Sequence, residues 1–320
     1  MTPQEKELIR QWARRVGGKI TIGLRVTNDD RSLALEAFCR ELQELAPSVR
    51  LKKQDHGDPL PSFRIADNVG YRAGPSGLEL GPFLDFLEGR EDDAVLAGLP
   101  EPEILDQIRV PAAVTVYVSP HCPVCPQTVT SVLLLAKRCK WIQVTVVDGA
   151  LFPELAGAAN VRSAPTVIVE DRFRWIGAVD LREMAGVIIS RDPSQLGVQA
   201  LQQMVETGNA EALADMMVGG GAVFPAFIDL LMHPTWPVRL GAMVCFEFLN
   251  DRRQDLAAQV LESLWGRFEA AGPEVKGDIL YLLGESGHAE MVDRLTAVHT
   301  GDYPESVRAA AADALEVLEK

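Results

Sequence analysis

"VTVYVSPHCPVCPQTVTSVLLLAK" spans Val114–Lys137, and its reading decides the fold. Val114, Val116 and Val118 alternate with Thr115 and Tyr117, the period-two pattern of a half-buried strand. Cys122 and Cys125 follow, bracketed by prolines, and helical spacing then runs through Val129, Val132, Leu133 and Ala136. Three chemistries compete for a cysteine pair in such a place. A zinc site needs four ligands, usually as two pairs. The chain has five cysteines and no second Cys-x-x-Cys, and His56, His233, His288 and His299 lack ligand spacing. An iron–sulfur cluster meets the same shortage of thiols. A permanent disulfide is disfavoured in a reducing compartment. The redox reading has the strand–pair–helix context in its favour.

That context carries specific expectations. Cys122 is expected at the helix N-terminus with Pro123 at the first helical position, where a missing N–H costs nothing. The helix dipole and free N–H groups there favour a thiolate. Cys125, one turn on, is placed to resolve a mixed disulfide, and a protonated His121 would help the thiolate form. Downstream, "RSAPTVIV" puts Pro165 just before a strand, where a cis-proline would present the Ala164 backbone to an incoming peptide. The expected site is therefore Cys122 and Cys125 as catalytic residues, His121, Ala164 and Pro165 as substrate-binding residues, and no metal ligand.

Around this stretch the chain divides into three regions. In the first, Ile20, Ile22, Leu24 and Val26 mark a strand and "RSLALEAFCRELQEL" a helix, in the order β, α, β, β, β, α. A polar, proline-bearing stretch, "GREDDAVLAGLPEPEILDQIRVP", leads into the second. There the Val114 strand, the cysteine pair and its helix are followed by the strand "WIQVTVV", a short helix, a hairpin and a closing helix. That is the layout of a thioredoxin-type α/β domain, a mixed sheet covered by helices. Beyond about Arg191 no strand pattern survives. "TWPVRLGAM", "GPEVKGDIL" and "YPESVRAAA" recur instead, with Val238, Val275 and Val307 separated by 37 and 32 residues. Such a period signals stacked helix pairs of HEAT type. The expected domains are 1–107, 108–190 and 191–320.

"CPVCPQTV", "VVDGALFPELAGAANVRSAPTVIV" and "VGYRAGPSGLELGPFLDFL" together resemble the N-terminal tandem-thioredoxin module of the alkyl hydroperoxide reductase flavoprotein subunit. They also resemble the archaeal glutaredoxin-like protein disulfide oxidoreductases. The resemblance covers roughly Pro3 to Ser190. It implies a thiol–disulfide oxidoreductase with Cys122 as nucleophile, Cys125 as resolving thiol and Pro165 as cis-proline, acting on a protein disulfide such as that of a peroxiredoxin. "VTNDD" stands where a first-domain cysteine pair would be, and Pro61 of "LPSFRI" is the matching proline. The flavoprotein continues into FAD- and nucleotide-binding domains, whereas this chain has no G-x-G-x-x-G after a strand. No cofactor is therefore expected, and a separate electron donor, such as a thioredoxin-reductase-like flavoprotein, is implied. Where thioredoxins carry a buried Asp, six residues before the first cysteine, this chain has Val116. Proton handling then falls to solvent, His121 or a neighbouring carboxylate.

Composition bounds the rest. A net charge of −14 disfavours nucleic acid and anionic membranes as partners. The charged N-terminus lacks the apolar stretch of a secretory leader, and no long apolar run suggests a membrane span. A bacterial, cytoplasmic protein is the expectation. Cys39, Cys139 and Cys245 fall on apolar helix patterns or at a helix end and read as core packing. Trp236 and Trp265 read as core or edge packing, although an exposed aromatic on stacked repeats can anchor a partner. "VGGGAVF" lacks the ending of a phosphate loop and reads as a linker. An adaptor remains the competing class, its repeats binding a partner and its cysteines acting as a redox gate.

Overall fold

The valines that alternate along β5 (Ala112–Val118) and β6 (Ile142–Asp148) bury one face of each strand, and the two strands pair in parallel near the centre of a sheet. The computed structural model describes residues 1–54, 59–288 and 291–318; His56 lies outside the described residues. Within them the chain forms two units, Met1–Arg191 and Asp192–Lys320.

The first unit opens with α1 (Pro3–Arg15), whose Thr2 and Glu5 form a reciprocal capping box. It continues as β1 (Ile20–Arg25), α2 (Arg31–Leu45), β2 (Val49–Lys53), β3 (Ser62–Ala66) and β4 (Val69–Arg72). A 3-10 turn (Gly77–Glu79) then leads into α3 (Leu80–Glu88). The polar stretch after α3 is not bare linker: it holds two one-turn helices, α4 (Asp93–Leu96) and α5 (Pro102–Leu105), the first capped by the Asp92 carboxylate. After β5 come α6 (Cys125–Arg138), β6, α7 (Pro153–Ala158), β7 (Thr166–Val169), β8 (Phe173–Ile176) and α8 (Leu181–Ile189).

The strands form one eight-stranded sheet in the order β2-β1-β3-β4-β6-β5-β7-β8. Each half repeats one scheme. The first strand pairs parallel with the second and antiparallel with the third, and the third pairs antiparallel with the fourth. The halves join where β4 runs parallel to β6, from Val69 opposite Val144 to Arg72 opposite Val147. Edge strand β2 carries exposed Arg50, Lys52 and Lys53, charges that discourage further strand pairing. Four rings, Phe38, Phe63, Tyr71 and Phe83, pack at centroid distances of 5.4 to 6.1 Å in the first half. The indole of Trp12 on α1, fully buried, donates to the Leu84 carbonyl at 3.0 Å.

Asn68 secures the join between halves. Its side-chain amide donates to the carbonyls of Ala136 and Ile142, both at 2.9 Å, while its backbone carbonyl accepts from Val144 N–H at 2.8 Å. Asn68→Ala strips partners from two carbonyls at the α6–β6 turn. A loss of about 1–2 kcal/mol in urea unfolding is expected; an unchanged midpoint would show that water replaces the amide without cost.

The second unit is all helical. A 3-10 turn (Pro193–Gln195) precedes α9 (Val198–Glu206), α10 (Ala210–Gly220), α11 (Pro225–Leu231), α12 (Trp236–Arg252) and α13 (Gln254–Trp265). Then come α14 (Pro273–Glu285), α15 (Val292–Thr300) and α16 (Glu305–Leu318). The three recurring segments are the starts of α12, α14 and α16, each with a proline at or beside the first turn. α14 and α16 approach so closely at Gly284 that a Cβ there would lie 2.9 Å from Ala314. The glycines of "VGGGAVF" finish α10, and Gly221, at φ 64°, closes it in the left-handed region. Arg239 is 1% exposed; its Nε donates to Asp278 at 2.5 Å and its Nη1 to the His233 carbonyl at 2.8 Å, tying α12 to α14. Cys39, Cys139 and Cys245 are buried, and burial pushes each thiol up, Cys39 to about 12.

Candidate active site

Strand β5 delivers the chain to Ser119, and a tight turn follows in which the Cys122 N–H donates to the Ser119 carbonyl at 3.0 Å. Helix α6 begins at Cys125, not beside Cys122, and it is Pro126 rather than Pro123 that fills a first-turn position. The expected placement of Pro123 is thereby corrected. The Ser119–Cys122 turn ends at Cys122, Pro123 and Val124 stay outside the helix, and its first residue falls two positions later than expected. Val124, at the N-cap, offers no side-chain acceptor. The Cys122 sulfur stands in for one: the Cys125 N–H donates to Sγ at 3.0 Å.

Cys122 and Cys125 are joined as a disulfide, with their Cα atoms 5.5 Å apart. The two sulfurs differ in access: Cys122 is partly exposed, whereas Cys125 is fully buried. In the reduced state the helix dipole and the Cys125 N–H favour negative charge on the Cys122 sulfur. The chemistry therefore has a reachable, activated sulfur and an inner one that needs a proton acceptor.

The loop before β7 completes the rim. The Ala164–Pro165 peptide is cis, and the Ala164 carbonyl oxygen lies 3.4 Å from Cys122 Sγ. This loop is pinned from both sides. Thr166 Oγ1 donates to the Ser163 carbonyl at 2.7 Å, and Gly177 N–H to the Pro165 carbonyl at 2.9 Å. Thr128 on the first turn of α6 donates to the Gly177 carbonyl at 3.1 Å, tying the cysteine helix to the same hairpin. His121 sits exposed beside Cys122. In the first half, Pro61 holds the matching place just before β3, but its peptide bond is not among the cis bonds.

The "VTNDD" stretch at the corresponding place in the first half forms an ionic clasp. Arg31 binds Asp29 and Glu154 through its guanidinium, donates to the Leu151 carbonyl and stacks over Phe152 with its Cζ 4.2 Å from the ring centroid. Arg31 pulls the Asp29 carboxyl down to about 2, chiefly by its side-chain hydrogen bonds.

One residue went unnoticed in the sequence. Glu79, in the 3-10 turn ahead of α3, is 7% exposed, and burial pushes its carboxyl up to about 7. Its Oε1 has no hydrogen-bond partner, and neither does the buried Tyr71 hydroxyl, whose titration is pushed up by burial and by Glu79. Both line a cavity of about 10 Å³ with Val118, Pro120 and Asp148. Val118 and Pro120 are the residues that lead into the cysteine turn, so a carboxyl from the first half shares a cavity with the segment that precedes the pair of the second. A lone Glu among apolar residues in "SGLELGPF" is the only local signal of it.

Among the described residues, no group of three or more His, Cys, Asp and Glu is placed to hold a metal ion, and no helix is long and apolar enough to cross a membrane. Residues 112–189 match the family model of the thioredoxin domain. No curated protein matches the chain. Among solved structures, it is similar to the N-terminal N/C domain of alkyl hydroperoxide reductase AhpF from Enterococcus faecalis, at 18% identity and TM-score 0.48, over 59% of this chain and 99% of that one. A protein disulfide oxidoreductase from Aeropyrum pernix aligns at 14% identity and TM-score 0.50, over 59% of this chain and 92% of that one. Sso1120 from Sulfolobus solfataricus aligns at 22% identity and TM-score 0.40, over 52% and 96%. At such identities the likeness concerns the fold. The chain thus carries a thioredoxin-fold module, with its thioredoxin domain at residues 112–189 and the Cys122–Cys125 disulfide at the start of that domain's first helix.

Proposed function

We propose that this protein is a thiol–disulfide oxidoreductase that exchanges electrons with a protein disulfide through Cys122 and Cys125. The observation that carries the reading is the asymmetry of the pair: a partly exposed Cys122, whose sulfur accepts the Cys125 N–H, and a fully buried Cys125. In the reducing direction, the Cys122 thiolate attacks one sulfur of the client disulfide, forming a mixed disulfide and releasing the other client sulfur as thiolate. Cys125 then gives up its proton and attacks Cys122 Sγ. The bond between Cys122 and the client breaks, the second client sulfur leaves as thiolate, and the protein holds the Cys122–Cys125 disulfide. Two electrons have moved from the pair to the client. Glu79 takes the Cys125 proton, the neighbouring carboxylate that the absence of an acid at Val116 calls for. Ala164, beside the Cys122 sulfur, and Pro165 border the client peptide, with His121 on the open side.

The reading extends to organisation. Residues 1–107 form the half without an active pair and 108–190 the half with one. Residues 191–320 form HEAT-like repeats that dock a partner. A peroxiredoxin is the client class suggested by the resemblance to the alkyl hydroperoxide reductase module. Re-reduction falls to a separate thioredoxin-reductase-like donor, in a reducing bacterial cytoplasm.

The test is a trap. Reduced Cys125→Ser protein, mixed with a peptide disulfide, is expected to accumulate a reductant-sensitive adduct mapped to Cys122 by mass spectrometry, while Cys122→Ser protein accumulates none. Equal adducts on both variants, or none on either, would overturn the exchange mechanism.

A further inference from the structure

Helix α12 is apolar on two faces. Ala242, Cys245 and Leu249 point into the core of the second unit, whereas Trp236, Leu240 and Val244, spaced by four, are 53%, 41% and 37% exposed. Side chains four apart lie one above another on a helix, so these three form a continuous stripe turned away from the core. A helix apolar all round is ordinarily covered all round. Glu247 continues the stripe, and Tyr281 of α14, 42% exposed, donates its hydroxyl to the Glu247 carboxylate at 3.4 Å. Glu285, exposed and four residues after Tyr281 on α14, lies one turn along the same face.

Charge decides what covers such a stripe. Residues 192–320 hold 20 Asp and Glu against 8 Lys and Arg, so they carry −12 of the chain's −14. Polyanions and anionic surfaces are repelled by this unit, and so is a second copy of it. The basic side chains near the stripe are engaged elsewhere: Arg239 is buried against Asp278, and Arg252 binds Glu211 and Asp215. An apolar stripe with an aromatic anchor and an acidic border matches the underside of an amphipathic helix with basic flanks.

We propose that the Trp236–Leu240–Val244 stripe, with Tyr281, docks a cationic amphipathic helical segment of a partner protein, whose Lys or Arg side chains meet Glu247 and Glu285. This deepens the reading of residues 191–320 as a docking domain and rests on it. Burying the Trp236 ring supplies the attraction, and the carboxylates set the sign of partner accepted and raise its rate of encounter.

The test uses the full chain and a fluorescent amphipathic helical peptide built only from Leu and Lys, followed by anisotropy. Binding is expected, weakening with salt, and absent for the Leu/Glu counterpart. Trp236→Ala with Leu240→Ala is expected to weaken it by at least about tenfold, since anchor residues carry most of such an affinity. Glu247→Gln with Glu285→Gln weakens it several-fold. Removing the same charge on other helices, Glu262→Gln with Asp293→Asn, leaves it within about twofold. No binding, an intact affinity in the apolar variant, or equal losses from both charge removals would overturn the proposal. Reduction of a small-molecule disulfide, measured on the same proteins, keeps the outcomes apart. Loss of docking with exchange intact concerns the stripe, whereas loss of exchange with docking intact concerns the cysteine pair.

Discussion

Glu79→Gln is expected to slow resolution of the mixed disulfide by about 100-fold near pH 7, the scale of removing a positioned general base. The inner thiol, Cys125, is fully buried, and a buried thiol resists ionisation unless a neighbour takes its proton. Glu79 suits that task because burial raises its carboxyl to about 7 and leaves Oε1 unpaired in a cavity bordered by Val118 and Pro120. The rate of the native protein should rise through pH 7 as this carboxyl ionises, and the Gln variant should lose that inflection. Stability should move the opposite way. Because the folded-state pKa is raised from 4.5 to about 7, the native protein holds a proton that the unfolded chain has released. Stability from this group is present in full below pH 4.5 and is lost as pH rises towards 7. Glu79→Gln should therefore flatten the stability profile across this window while removing the kinetic inflection. Stopped-flow resolution and urea melts on the same two proteins check both. A variant with an unchanged pH–rate profile would dismiss Glu79 as proton acceptor, whatever it does to stability.

Asp278→Ala is expected to cost the second unit about 3–5 kcal/mol, since removing one partner of a buried ion pair leaves the other charge uncompensated. Arg239 is the group left behind. It is 1% exposed, its Nη2 makes no hydrogen bond, and its remaining carboxylate, Glu274, lies 3.9 Å away and is itself solvent-exposed. The carbonyls of His233 and Pro234 still accept from Nη1, but they carry no net charge. Arg239→Met with Asp278→Leu removes both charges and keeps the volume, so it should recover most of the loss. Urea unfolding followed by far-ultraviolet circular dichroism reads both variants. Should the double variant be as unstable as Asp278→Ala, the penalty lies in lost packing between α12 and α14 rather than in an unpaired charge.

Much of this was legible in the residues themselves. The Val114, Val116, Val118 alternation became β5, and the helical spacing from Val129 to Ala136 became α6, because burial on one face imposes its period on the chain directly. The recurrence of Val238, Val275 and Val307 marked the starts of α12, α14 and α16 for the same reason. Helix boundaries were less secure. Two prolines near the cysteines each fit a first helical turn, and only the Ser119–Cys122 turn selected Pro126. For Trp236 the sequence left core packing, edge packing and an exposed anchor open, since an aromatic at helical spacing carries no mark of whether its face is covered; it is exposed.

By itself, the sequence determined the order of strands and helices, the strand-to-helix junction that holds Cys122 and Cys125, and the change from α/β to all-helical character near Arg191. These are properties of neighbours along the chain, set by side-chain periodicity and by the fixed φ of proline. Tertiary structure alone decided that β4 pairs with β6 to merge two halves into one sheet, and that the Glu79 carboxyl comes to rest in a cavity with Val118 and Pro120, far along the chain. Strand partners depend on which edges meet, and a carboxyl's affinity for its proton depends on which atoms exclude water around it. Both are set by residues distant in sequence, so no local pattern records them.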